Sequence, residues 1–205
     1  MHNTLTTTLV ADGRSDRALI PLIALLLDEH SKRPYRVHFA ENLLVASLRL
    51  EDRAAAAVLS FPCDLLFVHR DSESLSFSSR ADEISRSLAL VAGLPPYVCV
   101  VPVRMTEAWL LVDEAAIRAA VGNPRGTTPL ALPSPIKAES IDAKQTLFEL
   151  LETASELGAQ RRRRFVPEQF RHRVAELLSD VQLLRRLPSF RRFEETLVDC
   201  LSRLS

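Results

Sequence analysis

The chain lacks most of the features that would assign it a compartment or a partner directly. Its three cysteines, Cys63, Cys99 and Cys200, are odd in number and widely spaced, with none of the spacings that hold zinc. They offer no disulfide framework and fit a reducing, cytoplasmic setting, with Cys63 and Cys99 as buried, inert thiols. The longest apolar segment, Ala18 to Leu27, is too short to span a bilayer. No basic stretch followed by an apolar run opens the chain, so no signal peptide is expected. The formal net charge is zero, so no overall field selects nucleic acid or a membrane surface. Internal repeats and low-complexity tracts are missing, and Trp109 is the single tryptophan.

What remains describes an ordinary soluble domain. A chain of 205 residues can bury one sizeable core with room for a smaller appendage. Hydrophobic residues at 47% and charged residues at 25% match a globular protein rather than a disordered one. The charge is mildly uneven: residues 1–122 carry 12 Lys and Arg against 15 Asp and Glu, and residues 142–205 carry 12 against 10. The first part is therefore net −3 and the last net +2, too small a difference to name a partner.

In order, the residues alternate between two periods. Leu5–Ala11 is rich in Thr and Val and predicts a strand. After Gly13, Ser15 is a candidate N-cap and Asp16 falls in the first helical turn, where the dipole favours an anion. Leu19, Leu22, Ile23 and Leu26 then repeat at helical spacing, with Pro21 implying a late helix start or a kink. Tyr35–Phe39 predicts a second strand, Leu43–Leu59 a second helix and Leu65–Val68 a wholly apolar strand covered on both faces. Ser79–Val91 predicts a third helix, closed by Gly93 and Pro95-Pro96, and Tyr97–Val103 a fourth strand. Thr106 is a candidate N-cap that places Glu107 in a first turn, and Glu114–Val121 predicts a short helix. Residues 123–141 are proline-rich and predict a connector between an α/β domain, 1–122, and a helical extension, 142–205. Within that extension Ala143–Leu157, Pro167–Leu178 and Ser189–Leu204 predict amphipathic helices, with Phe148, Leu151, Phe170, Leu177, Phe193 and Leu197 facing a core.

This alternation predicts a mainly parallel four-stranded sheet flanked by helices, with its ligand site beyond the carboxyl ends of the strands. Two strands end there in acids: Asp12 after the first, Asp71 and Glu73 after the third. Carboxylates suit hard cations such as magnesium or manganese, which can activate a water and stabilise a leaving oxygen at a phosphodiester. Asp71 and Glu73 lie two apart, so they share a face if extended and can converge if the chain turns. His69 points the same way at this spacing. The plainer reading makes Asp12-Gly13 a turn, and Ser15 with Asp16 a helix cap. The spacing equally permits a receiver-like or nucleotide-binding domain.

The residues carry a resemblance. Val10-Ala-Asp-Gly-Arg-Ser-Asp16, followed by a strand ending Asp71-Ser-Glu73, resembles the TOPRIM fold of topoisomerases, primases and overcoming-lysogenisation-defect nucleases. The chain more closely resembles a family of bacterial TOPRIM-like proteins of similar size, often encoded beside an AAA or ABC-type ATPase. The likeness extends to Pro102-Val-Arg-Met-Thr-Glu-Ala-Trp-Leu-Leu111, to Asp142-Ala-Lys144 and to Leu187-Pro-Ser-Phe190. It implies a magnesium-dependent nuclease, with manganese as substitute, acting on DNA or RNA in an anti-phage system with a partner ATPase. It also admits a non-catalytic scaffold that binds such an ATPase. It assigns Asp12, Asp71 and Glu73 to the metal, with Asp16 and Glu107 as further ligands or bases. Two departures stand out: Asp12 replaces a glutamate and Glu73 an aspartate, opposite changes in reach.

Other residues are weighed on chemistry alone. Arg70 and Arg104 flank the acids at two strand ends, where each could clamp a phosphate or pair with a carboxylate. Lys144 opens a helix, an unfavourable place for a cation, which suggests a phosphate or an acid partner. Arg161-Arg-Arg-Arg164 could contact phosphates, although a solvated helix end is the simpler expectation. Trp109 is expected to pack in the core and position Glu107, and His172 to lie at the surface.

Overall fold

The computed structural model describes residues 4–43, 49–73 and 76–204. Four strands, β1 (Leu5–Val10), β2 (Tyr35–Phe39), β3 (Leu65–His69) and β4 (Tyr97–Val100), form one sheet in the order β2-β1-β3-β4. Every pairing is parallel, as the alternation of elements requires. The crossovers contain α1 (Leu19–His30), α2 (Leu50–Ser60) and α3 (Phe77–Leu88). The chain winds one way from β1 to β2 and then back past β1 to β3. Loops diverge where the winding reverses, so a crevice forms beyond the carboxyl ends of β1 and β3.

Side-chain alternation divides the core in two. Leu9, Leu65, Phe67, Val98 and Val100 pack against α1 and the C-terminal helices. Val10, Leu66, Val68 and Cys99 pack against α2 and α3. All five residues of β3 are buried, and each large apolar side chain so placed contributes about 1.5–3 kcal/mol. The strand that delivers His69 and Asp71 is thereby fixed on both faces.

Some boundaries differ from expectation for local reasons. A 3-10 turn over Arg14–Ala18 precedes α1, so the helix does start late, and Pro21 is its third residue. A proline there forfeits no intrahelical bond, because first-turn N–H groups have no partner. The helix expected over Leu43–Leu59 begins at Leu50; residues 44–48 lie outside the described residues. Thr106 caps nothing: Met105 holds the N-cap position of a 3-10 turn, Thr106–Leu110, and offers no side-chain bond.

From Glu114 onward the elements are helical: α4 (Glu114–Ala120), α5 (Pro135–Ala138), α6 (Ala143–Ser155), α7 (Ala159–Arg162), α8 (Arg171–Leu177), α9 (Val181–Leu184) and α10 (Pro188–Leu204). The segment expected as one helix over Pro167–Leu178 divides into a 3-10 turn, Pro167–Phe170, and α8. Leu151, Phe193 and Leu197 are buried, whereas Phe148, Phe170 and Leu177 are partly so. Phe193 reaches Phe67 of β3 with ring centroids 6.1 Å apart and stacks on Trp109 at 5.8 Å. Trp109 is fully buried, as expected, and its indole N–H donates to Ser189 Oγ at 2.7 Å. Among the described residues no helix is long and apolar enough to cross a membrane.

Candidate functional site

The reversal of winding between β1 and β3 produces a cleft of about 360 Å³ lined by Asp12, Gly13, Ser15, Asp16, His69, Arg70, Asp71, Glu73 and Arg80. Four of the five sequence-predicted acids therefore share one wall system. Their electrostatic situations differ.

Asp12, the first residue past Ala11, is already matched. Its Oδ1 accepts from Arg53 at 2.8 Å and its Oδ2 from Arg70 Nε at 3.4 Å. Arg53 also donates to the Ala11 carbonyl, so α2 is tied to the end of β1. Glu73 is matched more loosely. The extended pairing of β3 with β4 continues past the strands through Ser72 N to the Pro102 carbonyl at 3.1 Å and Glu73 N to the Arg104 carbonyl at 3.4 Å. At Glu73 the backbone enters the left-handed region, with φ 53°, a conformation a β-carbon disfavours. The turn carries the carboxylate outward: its side chain is 77% exposed and meets Arg80 at 3.5 Å. Asp71 and Glu73 both border the cleft, with Glu73 the more exposed of the two.

Among the described residues no guanidinium pairs with Asp16 or Asp71. Asp16 Oδ2 accepts the Gly13 N–H at 2.9 Å, which is the cap-like role expected of a first-turn acid. Its Oδ1 is left 3.8 Å from His69 Nε2. Asp71 Oδ1 lies 3.6 Å from the same nitrogen and 3.5 Å from the Thr106 hydroxyl. Burial pushes the Asp71 carboxyl up to about 6; the nearby Asp16 and Glu107 charges add to the rise and His69 opposes it. A carboxylate raised by burial and by like charges, at the mouth of a strand, is a place where added positive charge stabilises the fold.

Glu107 is buried beneath this group, on the Thr106–Leu110 turn that Trp109 holds in the core. Its partner is Arg171 at 2.5 Å, the first residue of α8. The helical third therefore contributes a residue next to the cleft.

Of the phosphate-binding candidates Arg70, Arg104 and Lys144, Arg70 lines the cleft and the other two do not. Arg70 bridges Asp12 and Glu83, the latter at 2.6 Å. Arg104 supports the cleft through its backbone, with φ 64° and its N–H donating to Ser72 Oγ at 2.8 Å. Its guanidinium turns away to the Ser140 carbonyl. Lys144 Nζ sits 5.9 Å from the Phe148 ring centroid and is not in the cleft lining. Arg161, Arg162, Arg163 and Arg164 are all exposed, as a solvated helix end would be.

Three arginines important to the site were not singled out from sequence: Arg53, Arg80 and Arg171. Only Arg80 left a signal. It lies at i, i+4 and i+8 with Ile84 and Leu88 on the buried stripe of α3, where an arginine demands a polar partner.

A second carboxylate–histidine group, Glu29, His30 and Glu194, brings ligand-type atoms within 4.8 Å of one another. Arg185 is inserted there: its Nε donates to Glu194 Oε2 at 2.9 Å and its terminal nitrogen to Glu29 at 2.7 Å. The guanidinium already fills the place a cation would take. No family model, curated protein or solved structure matches the chain.

Proposed function

We propose that the chain is a divalent-cation-dependent nuclease of TOPRIM-like type, cleaving nucleic-acid phosphodiesters. The single observation that supports this best is Asp71: a strand-end carboxyl pushed up to about 6 in a cleft shared with Asp12, Asp16 and Glu73. Oxygen donors in this number fit a magnesium or manganese ion. Asp16 and Asp71 would hold it, since neither is neutralised by an arginine, while Asp12 and Glu73 would join by releasing Arg53, Arg70 or Arg80. When bound, such an ion supplies charge to the leaving oxygen and lowers the pKa of a water. The freed Arg70 and Arg80 then lie at the cleft wall, where guanidinium forks suit phosphate oxygens. Glu107, held by Arg171, adds a buried negative charge near Asp71.

The setting in anti-phage defence beside an AAA or ABC-type ATPase rests on the resemblance alone. One observation favours the other reading, a scaffold for that ATPase: Asp12 and Glu73 are already paired with arginines. The test is a cleavage assay on DNA and structured RNA with Mg2+ or Mn2+, comparing wild type with Asp71→Ala, with and without the ATPase. Cleavage lost in the variant supports the nuclease. No cleavage by the wild type under any of these conditions sinks it and leaves the scaffold.

A further inference from the structure

Among the described residues lining the cleft, His69 alone can offer a side-chain nitrogen lone pair. His69 ends β3, and its side chain is 2% exposed, so the strand sets its orientation. Nδ1 lies 2.9 Å from the Val100 carbonyl oxygen. A carbonyl can only accept, so Nδ1 carries a proton and Nε2 is the ring nitrogen turned to the cleft, the one free to offer a lone pair to a cation. There Nε2 faces Asp71 Oδ1 at 3.6 Å and Asp16 Oδ1 at 3.8 Å, both acceptors. The Thr106 hydroxyl is 3.5 Å from Nε2 and 3.5 Å from Asp71 Oδ1; its one proton cannot serve both. A buried lone pair facing two carboxylates is unfavourable unless positive charge lies between them.

We propose that His69 Nε2 is a direct ligand of the divalent cation, together with Asp16 and Asp71. The centre is then a mixed nitrogen–oxygen site for first-row transition ions such as manganese, in preference to magnesium. This rests on reading the cleft as a cation-dependent centre. Two donors about 2.1 Å from one ion stand roughly 3.0–3.6 Å apart at angles of about 90–120°. The observed separation of 3.6 Å to Asp71 lies at the edge of that range and that of 3.8 Å to Asp16 just beyond it. The three groups do not close to within 4.8 Å of one another, so binding requires Asp16 and Asp71 to rotate about a fixed imidazole. A backbone carbonyl on Nδ1 is the outer contact that orients metal-bound histidines and strengthens Nε2 as a donor. Magnesium, which prefers oxygen and holds its water, gains least from it. The competing arrangement, an imidazolium bridging the two carboxylates, leaves no nitrogen on the ion.

The test is Mn2+ binding to the full chain, followed by the loss of the free-ion electron paramagnetic resonance signal and by electron spin-echo modulation from 14N. Wild type, H69Q and H30Q are compared. Expected is one nitrogen coupling in wild type and H30Q, its absence in H69Q, and Mn2+ affinity weakened at least about tenfold in H69Q. Bound Mn2+ with no nitrogen coupling in wild type overturns the proposal and leaves an all-oxygen nuclease centre standing. A coupling lost only in H30Q moves the ion to the α1–α10 group and overturns it too. A wild type that binds no Mn2+ overturns both this proposal and the reading beneath it. The wild-type and H30Q spectra alone separate these outcomes, whether or not H69Q folds.

Discussion

Two groups of acids and a histidine sit at opposite ends of β1, and the same residue types serve opposite purposes there. At the start of the strand, Arg185 hydrogen-bonds Glu194, which with His30 holds its carboxyl below the usual range. Beyond its end, Asp71 has no arginine, and burial drives it the other way, up to about 6. One group has its cation built in and ties α10 to α1. The other is left short of positive charge beside an open cleft. What separates a structural clasp from a candidate site is thus one guanidinium, and the contrast can be attacked from either side.

The largest effect should come from the cleft. Asp71→Asn keeps the shape but removes the charge, and cleavage is expected to fall at least about a hundredfold, near 2.7 kcal/mol of barrier. Arg185→Ala in steady-state assays should leave turnover per folded molecule unchanged. Retained activity in Asp71→Asn would break the contrast.

Next comes stability at the clasp. Arg185→Ala strands Glu194, whose side chain is only 11% exposed, and is expected to cost about 2 kcal/mol in urea unfolding. A cost below half that would make the clasp a surface pair.

The third effect is smaller and carries a sign. The folded state raises Asp71 from 3.8 to about 6, so folding favours its protonated form. That contribution is fully present below pH 3.8 and is lost as pH rises through about 6. In metal-free protein, Asp71→Asn should raise the melting temperature slightly at pH 7.5 and leave it unchanged near pH 3.5. The gain is modest because the side chain is 35% exposed. A variant less stable than wild type at neutral pH would contradict the burial argument.

The smallest effect is expected from Arg161–Arg164, all exposed. Changing the four to glutamine should alter stability by about 0.5 kcal/mol or less, measured by thermal melting. A larger loss would place a third charge clasp in the molecule.

The contrast was only half legible in the sequence. Leu65–Val68 announced its strand because an apolar run of this length fits a covered sheet, Tyr35–Phe39 because it alternates, and the acids after β1 and β3 followed from chain order. Asp16 supported both readings offered for it, since one oxygen caps Gly13 and the other turns to His69. Most of the guanidinium pairings were illegible. Arg53 reaches Asp12, Arg171 reaches Glu107 and Arg185 reaches Glu29 across long stretches of chain, and no periodicity marks such pairings. Glu73 was named, but its backbone was left open between an extended and a turning course, and the left-handed φ decides for the turn.

The ion pair between Glu107 and Arg171 also sets an order of events during synthesis. All the strand-end acids are made within the first 73 residues, well before Arg171 leaves the ribosome. Until then Glu107 has no counter-charge, and Trp109 lacks the Phe190 and Phe193 rings that enclose it. A nascent chain therefore carries its acidic residues early and completes their surroundings late.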